Sequence, residues 1–261
     1  MNDAGKHAGA IRWTALLTRE RRRALIGLVA VAVLWEVLVR ALALPAYVMP
    51  TVSAVLEAMF VQRVELAANA WTTIIEAFTG FVIGCVAGIS IAVLLVSMPK
   101  GRRVIMPVLM AVNSVPVVAY APLVLLWFGA GIESKVVMVA VAVGFTVLLH
   151  AVSGLDRVDA RAVDLMRSFG ADRGAILWRL RLPTAAPLIA TGMRVATVRS
   201  MIIAIVTEML GAASGLGWTI YQGVLQLNFV QVWSGIFVAS AVSLMFFNLV
   251  AALERRIVFW K

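Results

Sequence analysis

The sequence contains very little cysteine and histidine, which excludes several kinds of site. Cys85 is the single cysteine and lies in an apolar run, so the chain can form no internal disulfide and hold no iron–sulfur cluster. The two histidines, His7 and His150, have no companion ligands at metal-binding spacing. We therefore expect no metal site.

Motifs for nucleotide binding and catalysis are missing as well. The pair Gly5-Lys6 lacks the upstream glycine of a phosphate-binding loop, so we expect no ATP or Mg²⁺ on this chain. The apolar runs contain no paired aspartates, no His-Glu metal motif and no Ser/Lys or Ser/His dyad. These absences argue against a membrane-embedded enzyme.

Charge is also scarce, and its distribution indicates a membrane protein. Only 14% of the 261 residues are charged, 62% are hydrophobic, and the mean hydropathy is +0.98, outside the range of soluble domains. The net charge of +10 lies in short segments between apolar runs. That pattern reflects membrane topology and predicts no nucleic-acid partner.

The apolar runs predict an all-α membrane protein with six transmembrane helices. Each run is close to the roughly 20 residues that cross about 30 Å of hydrocarbon. The predicted spans are 24–44, 71–97, 104–128, 136–155, 184–210 and 232–253. The third contains Pro107, Pro116 and Pro122, which are expected to bend it.

The basic residues predict the orientation. Eighteen Lys and Arg residues lie in the tail 1–23, the turn 99–103, the loop 156–183 and the tail 254–261, against Arg63 and Lys135 on the opposite side. The positive-inside rule therefore places both termini and that loop in the cytoplasm. The basic tail 1–23 either anchors this topology or forms a surface helix held by anionic membrane lipids.

Two further segments are predicted on the external side. A short amphipathic helix is expected to start near Pro50, Thr51 or Ser53. The glycine-rich segment 211–231 is predicted to form a loop and a short helix. In the second span, Gly80, Gly84 and Gly88 recur every four residues, which favours close helix packing within one subunit or between subunits.

The loop 156–183 is the one long charged segment between the spans. Apolar residues recur through it at helical spacing, and we predict two short helices with a break at Gly170. Asp172 is expected to cap the second helix, which is predicted to stop at Leu182-Pro183.

Residues in and after this loop resemble permease subunits of ATP-binding-cassette (ABC) importers. Asp164, Gly170, Leu180 and Leu182-Pro183 stand at the spacing of the EAA loop of those permeases. The resemblance is nearest to the nitrate/sulfonate/taurine branch, runs from about Pro45 to Leu253, and includes PLVLLWFGAG, LPTAAPLIATGMR and TEMLGAASGLG. The chain departs from the pattern at Asp164-Leu165-Met166, where the family has Glu-Ala-Ala, which keeps the acid and enlarges the small residues.

The resemblance implies a type I, binding-protein-dependent ABC importer permease in the bacterial inner membrane. The implied partners are two ABC ATPase subunits that carry ATP and Mg²⁺, a second copy of this permease, and an external substrate-binding protein or lipoprotein. The implied fold has a cytoplasmic coupling helix between spans four and five. Its expected ATPase-contacting residues are Asp164, Arg167, Ser168, Phe169, Gly170, Ala171 and Arg173.

Polar residues within the spans are candidates for the translocation path of a small anion such as a sulfonate, taurine or nitrate. They are Asn113, Ser114, Pro116, Arg194, Arg199 and Glu208. If the fifth helix starts near Pro183, Arg194 lies about 16 Å along it, near mid-membrane, where an arginine needs a cavity or a partner. That arginine either lines the path or bonds backbone carbonyls that the prolines of the third span leave free. Arg199 is the stronger clue to an anionic substrate.

Two alternatives remain open from the sequence. The first is the same type of importer for a different small solute. The second is an ion-coupled secondary transporter or channel, which the three prolines of the third span permit because broken helices form ion sites.

Overall fold

The computed structural model describes the backbone of residues 4–257 and the side chains of residues 22–256. The described residues form helices and turns, with no strand. In chain order the α-helices are α1 Ala4–Ala41, α2 Val52–Val61, α3 Arg63–Ser97, α4 Pro99–Ser114, α5 Ala121–Phe128, α6 Ile132–Leu155, α7 Ala160–Ser168, α8 Arg173–Ile176, α9 Leu182–Gly211, α10 Leu216–Leu225 and α11 Phe229–Ile257. A 3₁₀ turn, Val117–Tyr120, precedes α5, and a π turn, Leu177–Arg181, joins α8 to α9.

Five helices are long and apolar enough to cross a membrane, and a bent pair of helices makes a sixth when the pair is counted as one span. The five lie in α1, α3, α6, α11 and the continuous segment Arg173–Gly211. The predicted all-α class with six spans is therefore confirmed. The side chains of most of the basic tail 1–23, and Lys261 at the other end, lie outside the described residues.

The third span is two helices rather than one bent helix. The pair α4 and α5 meets at 82°, and the break falls at Val115 and Pro116. Pro107 is tolerated inside α4, whereas Pro116 precedes the 3₁₀ turn and Pro122 stands in the first turn of α5, where a missing N–H costs no helical bond. The position of each proline within its helix therefore decides whether the helix continues.

The predicted stop at Leu182-Pro183 was wrong. The chain is helical without interruption from Arg173 to Gly211, and the π turn Leu177–Arg181 comes just before Pro183. Pro183 has no N–H to donate to the preceding turn. The widened π turn adjusts the backbone around this missing hydrogen bond, so the helix continues past Pro183. The end of the loop and the fifth span consequently form one continuous helix.

Two spans begin earlier than predicted. Helix α3 starts at Arg63 rather than at Trp71, and α6 starts at Ile132 rather than at 136. Lys135, expected in an external turn, lies within α6 and is only 1% exposed. Its ammonium group is buried because backbone carbonyl oxygens of Gly131 and Gly211 accept its hydrogen bonds at 3.0 and 2.6 Å.

Helices α3, α6 and α9 form the centre of the fold, and small residues let two of them touch. A Cβ atom added at Gly84 would lie 2.7 Å from the carbonyl oxygen of Ala140, and one added at Gly80 would lie 2.6 Å from the Cβ of Val139. Both neighbours belong to α6. The glycine repeat thus packs α3 against α6 within one subunit, as one of the two sequence interpretations expected.

The remaining helices pack on the outside of this centre. Residues 22–41 of α1 are almost wholly exposed. The ring of Trp35 meets that of Trp233 of α11 edge-on, with 4.5 Å between ring centroids, and its indole N–H donates to the carbonyl of Pro50 at 3.0 Å. Helix α2 begins after Thr51, one of the three predicted starting points, and the side chain of Thr51 accepts a hydrogen bond from the N–H of Ala54 at 3.2 Å. Helix α10 lies within the predicted segment 211–231.

We expect Gly84→Ala to destabilise the protein and Gly27→Ala to leave it unchanged. The added methyl group at position 84 collides with the α6 backbone, which costs about 1–3 kcal/mol, whereas nothing lies within 4 Å of a Cβ at Gly27. Thermal unfolding of the detergent-solubilised protein measures the difference. Equal melting temperatures for the two variants would contradict the close α3–α6 contact.

Candidate coupling loop and translocation path

The charged loop folds locally as its sequence predicts. Asp159 caps α7 by accepting a hydrogen bond from the N–H of Arg161 at 2.9 Å, and Asp172 caps α8 by accepting one from Ala175 at 2.8 Å. Between the two helices Gly170 has φ +81°, a left-handed conformation that glycine adopts without steric cost. The predicted break at Gly170 and the Asp172 cap are confirmed.

The loop presents apolar and charged residues to the solvent. Phe169 is 83% exposed, and with Met166, Gly170, Ala171 and Asp172 it borders a surface groove of about 510 Å³. The other residues predicted to contact an ATPase are also accessible: Asp164, Arg167, Ser168 and Arg173. Asp164 and Arg167 form an exposed ion pair at 3.5 Å, which at this exposure contributes little to stability.

The loop is firmly attached at both ends. The π turn continues α8 into α9, and buried Val163 and Ile176 hold α7 and α8 against the rest of the chain. At the other end, Arg102 forms two hydrogen bonds with Asp156, at 2.7 and 2.6 Å. The loop is therefore attached to the helices on both sides of it.

Three predicted path residues lie where the third span breaks. Asn113 is half-buried, Ser114 and Pro116 are exposed, and the Ser114 hydroxyl donates to the carbonyl of Ala111 at 2.6 Å. The turn that follows the break contacts α9. The break thus leaves polar side chains accessible on the surface of the single chain.

Arg199 lies on the face of α9 that meets α6. Its guanidinium donates to the hydroxyl of Thr146 at 3.2 Å, and Tyr120 of the 3₁₀ turn lies near enough to interact with its charge. Arg199 forms no ion pair within the described part of the chain. It is half-buried and keeps donors available for another anion.

Arg194 faces a different helix from Arg199. Its guanidinium forms an ion pair with Glu254 of α11 at 2.8 Å, rather than bonds to carbonyls of the third span. Glu254, predicted to start the cytoplasmic tail, lies in α11 and is only 8% exposed. Glu254 lies three residues before the last residue of α11, so this ion pair joins α9 to the C-terminal end of α11.

Glu208 is completely enclosed in the single chain, with 0% of its surface exposed. Its carboxylate accepts hydrogen bonds from the hydroxyl of Thr73 at 2.7 Å and from the N–H of Gly217 at 2.6 Å. Thr73 in turn accepts from the N–H of Leu216 at 2.9 Å. Glu208 thus joins α3 and α9 to the start of α10, and the structure shows no path at this residue.

Sequence reasoning missed two ionisable partners of Glu208. Glu76 of α3 is buried close to Glu208, and its Oε2 atom has no hydrogen-bond partner among the described residues. Lys135 lies close enough to attract both carboxyl groups. The signal was present in the sequence, since Glu76 is the only charged residue of the run 71–97.

Thr73→Val should destabilise the protein by about 1–3 kcal/mol, because it leaves buried Glu208 and the N–H of Leu216 short of a partner. The adjacent Thr72→Val is the matched control, since Thr72 is half-buried and its hydroxyl donates to the carbonyl of Ala68 in its own helix. Thermal unfolding of both variants gives the comparison. An unaltered melting temperature for the Thr73 variant would show that the network does not hold these helices.

Comparison with known proteins gives a match to a family of sequences. The sequence profile described as "Binding-protein-dependent transport system inner membrane component" matches residues 80–259, more than half of the chain. The match contains the coupling loop, the broken third span and both arginines of α9.

Curated relatives align over most of the chain. It is 30% identical to a probable ABC transporter permease protein of Haemophilus influenzae, over 85% of this chain and 91% of the relative. It is 28% identical to the formylaminopyrimidine transport permease protein ThiX of Halalkalibacterium halodurans, over 88% and 92%. It is 29% identical to the taurine transport system permease protein TauC of Escherichia coli, over 75% and 70%.

A solved structure shares the fold at low identity. A chain from the crystal structure of a bacterial alginate ABC transporter, in complex with an alginate pentasaccharide-bound periplasmic protein, superimposes with a TM-score of 0.64 at 15% identity. The superposition covers 92% of this chain and 96% of that one.

Proposed function

The chain belongs to the family of binding-protein-dependent transport system inner membrane components and is an ABC importer permease, and we propose that it transports a small anion and couples to a separate ATPase through the loop 156–183. It is a multi-pass transport subunit rather than an enzyme. The observation that carries the coupling proposal is the exposed loop helix joined rigidly to a span.

The coupling proposal follows from the mechanics of the loop. Phe169 and the groove beside it offer an apolar contact for a partner, and the exposed charges around them set its orientation. Because α8, the π turn and α9 form one helix, a displacement of the loop moves α9 as a rigid body. ATP binding by a partner ATPase can thereby change the state of the path.

The proposed assembly contains two copies of this permease, two ATPase subunits that hold ATP and Mg²⁺, and an external binding protein or lipoprotein. One chain leaves Ser114 and Pro116 of the break exposed, which a second copy related by a two-fold axis can cover to enclose a path. Both termini and the loop lie in the cytoplasm in this proposal. The distribution of Lys and Arg supports that orientation.

The anionic substrate is proposed from Arg199. This arginine lies inside the spans without a carboxylate partner among the described residues, whereas Arg194 is paired with Glu254. An uncompensated guanidinium beside a path favours an anion such as a sulfonate, taurine or nitrate. The similarity to the taurine permease TauC supports an anionic substrate. The similarity to the formylaminopyrimidine permease ThiX supports the alternative, a different small solute. We propose that Asn113, Ser114, Pro116 and both arginines border the path.

Gly170→Ala is expected to reduce coupled uptake while basal ATP hydrolysis persists. The alanine is strained at φ +81°, and a penalty of about 1–2 kcal/mol shifts the loop between conformations by roughly 5- to 30-fold. Uptake and ATP hydrolysis are measured together in proteoliposomes that contain the permease, its ATPase and its binding protein.

Gly174→Ala is the matched control in the same loop, because φ at Gly174 is not positive and its added Cβ meets only the side chain of Asp172, at 3.4 Å. This variant should retain coupled uptake. Equal behaviour of the two variants would contradict the proposed coupling role. Uptake by the permease without any ATPase would instead favour an ion-coupled transporter.

Arg199→Gln should lower the uptake of an anionic solute about tenfold or more, because the path loses its uncompensated positive charge. Arg199→Lys keeps the charge and should retain much of the uptake. Arg63→Gln, which removes an exposed charge at the start of α3, is the control. Uptake of labelled taurine, nitrate and an uncharged pyrimidine by cells with the complete transporter provides the measurement. Unchanged anion uptake by the Arg199→Gln variant would overturn the proposal that the substrate is an anion.

A further inference from the structure

A cleft of about 630 Å³ opens beside the base of the coupling loop. The start of α4, the end of α6 and the π turn surround it. Its lining includes Val96, Arg102, Arg103, Met106, Met110, Asp156 and Arg181. None of these residues belongs to the proposed translocation path or to the predicted ATPase contacts.

The cleft carries a positive charge that the protein does not neutralise. Asp156 is its one acidic residue, and both of its carboxylate oxygens accept hydrogen bonds from Arg102. Arg103 and Arg181 form no ion pair within residues 22–256. Two guanidinium groups on different elements therefore face one cleft with no counter-charge.

One wall of the same cleft is apolar and leads toward the membrane. Val96 and Met106 pack against the buried cluster of α3, α6 and α9, and exposed Met110 continues the wall one turn further along α4. Val104 marks the beginning of the predicted third span, so this wall runs from the level of the arginines into hydrocarbon. The cleft thus combines an anion-binding mouth with a surface suited to an acyl chain.

We propose that this cleft binds an anionic phospholipid of the cytoplasmic leaflet. The headgroup phosphate lies between Arg103 and Arg181, and an acyl chain follows Met106 and Met110. A diffusible phosphate ion satisfies the two arginines but leaves the apolar wall uncovered, which is why the site favours a lipid. The inference relies on the proposed orientation, which puts these arginines on the cytoplasmic side.

A lipid bound in this cleft joins two elements of the fold. Arg181 belongs to the π turn that joins the coupling loop to α9, whereas Arg103 belongs to α4. A phosphate held by both connects the base of the loop to the third span. The lipid therefore restrains the joint through which the loop moves α9.

The test counts phospholipids bound to the full-length chain by native mass spectrometry during titration with phosphatidylglycerol. Arg103→Gln combined with Arg181→Gln should weaken the tightest site by about 10- to 30-fold, given the contribution of each basic residue near an anionic headgroup. Arg255→Gln combined with Arg256→Gln is the control, since it removes the same charge from exposed positions near the same membrane face. Circular dichroism establishes that both variants are folded.

Two further measurements distinguish a phospholipid from free phosphate as the bound anion. Phosphatidylcholine should bind the wild-type site much more weakly than phosphatidylglycerol, and inorganic phosphate should not displace the bound lipid. Equal loss in the two double variants would show a diffuse charge effect and overturn the proposal. Displacement of the lipid by inorganic phosphate would overturn it in favour of a soluble anion. Neither result bears on coupling or on the transported solute.

Discussion

A polar group inside hydrocarbon has to find its hydrogen-bond partner within the protein, and the centre of this molecule is arranged around that constraint. Glu208 is satisfied by Thr73 of α3 and by the backbone at the start of α10. Lys135 of α6 is satisfied by carbonyls that begin its own helix and end α9. These contacts join α3, α6 and α9 to one another.

The glycine contacts between α3 and α6 fix the same spans along their length. Lipid chains are as apolar as leucine side chains, so close van der Waals contact, rather than hydrophobic burial, holds helices together in a membrane. The central helices therefore form a unit that resists internal shear. In the proposed mechanism, motion of the loop 156–183 moves α9 and this unit of packed helices together.

The two arginines of α9 show how charge is divided around this unit. Arg194 is paired with a carboxylate on α11, whereas Arg199 donates to the hydroxyl of Thr146 and forms no ion pair within the described chain. A paired guanidinium serves to join helices, and an uncompensated one attracts an anion. The broken third span lies next to Arg199, and Ala121 and Val124 of its second helix belong to the buried core that α3, α6 and α9 form.

The sequence alone determined the class of the protein, its six membrane crossings, the break at Gly170, the cap at Asp172 and the family resemblance. These features depend on local composition and spacing, which a single stretch of chain contains. The tertiary structure decided that the helix passes Pro183, that Lys135 is buried and that Glu208 is enclosed. Those outcomes depend on partners far away in the chain, since Thr73 and Glu208 are separated by 135 positions and Arg194 and Glu254 by 60. Local periodicity carries no information about such pairs, because only the packing of helices brings them together.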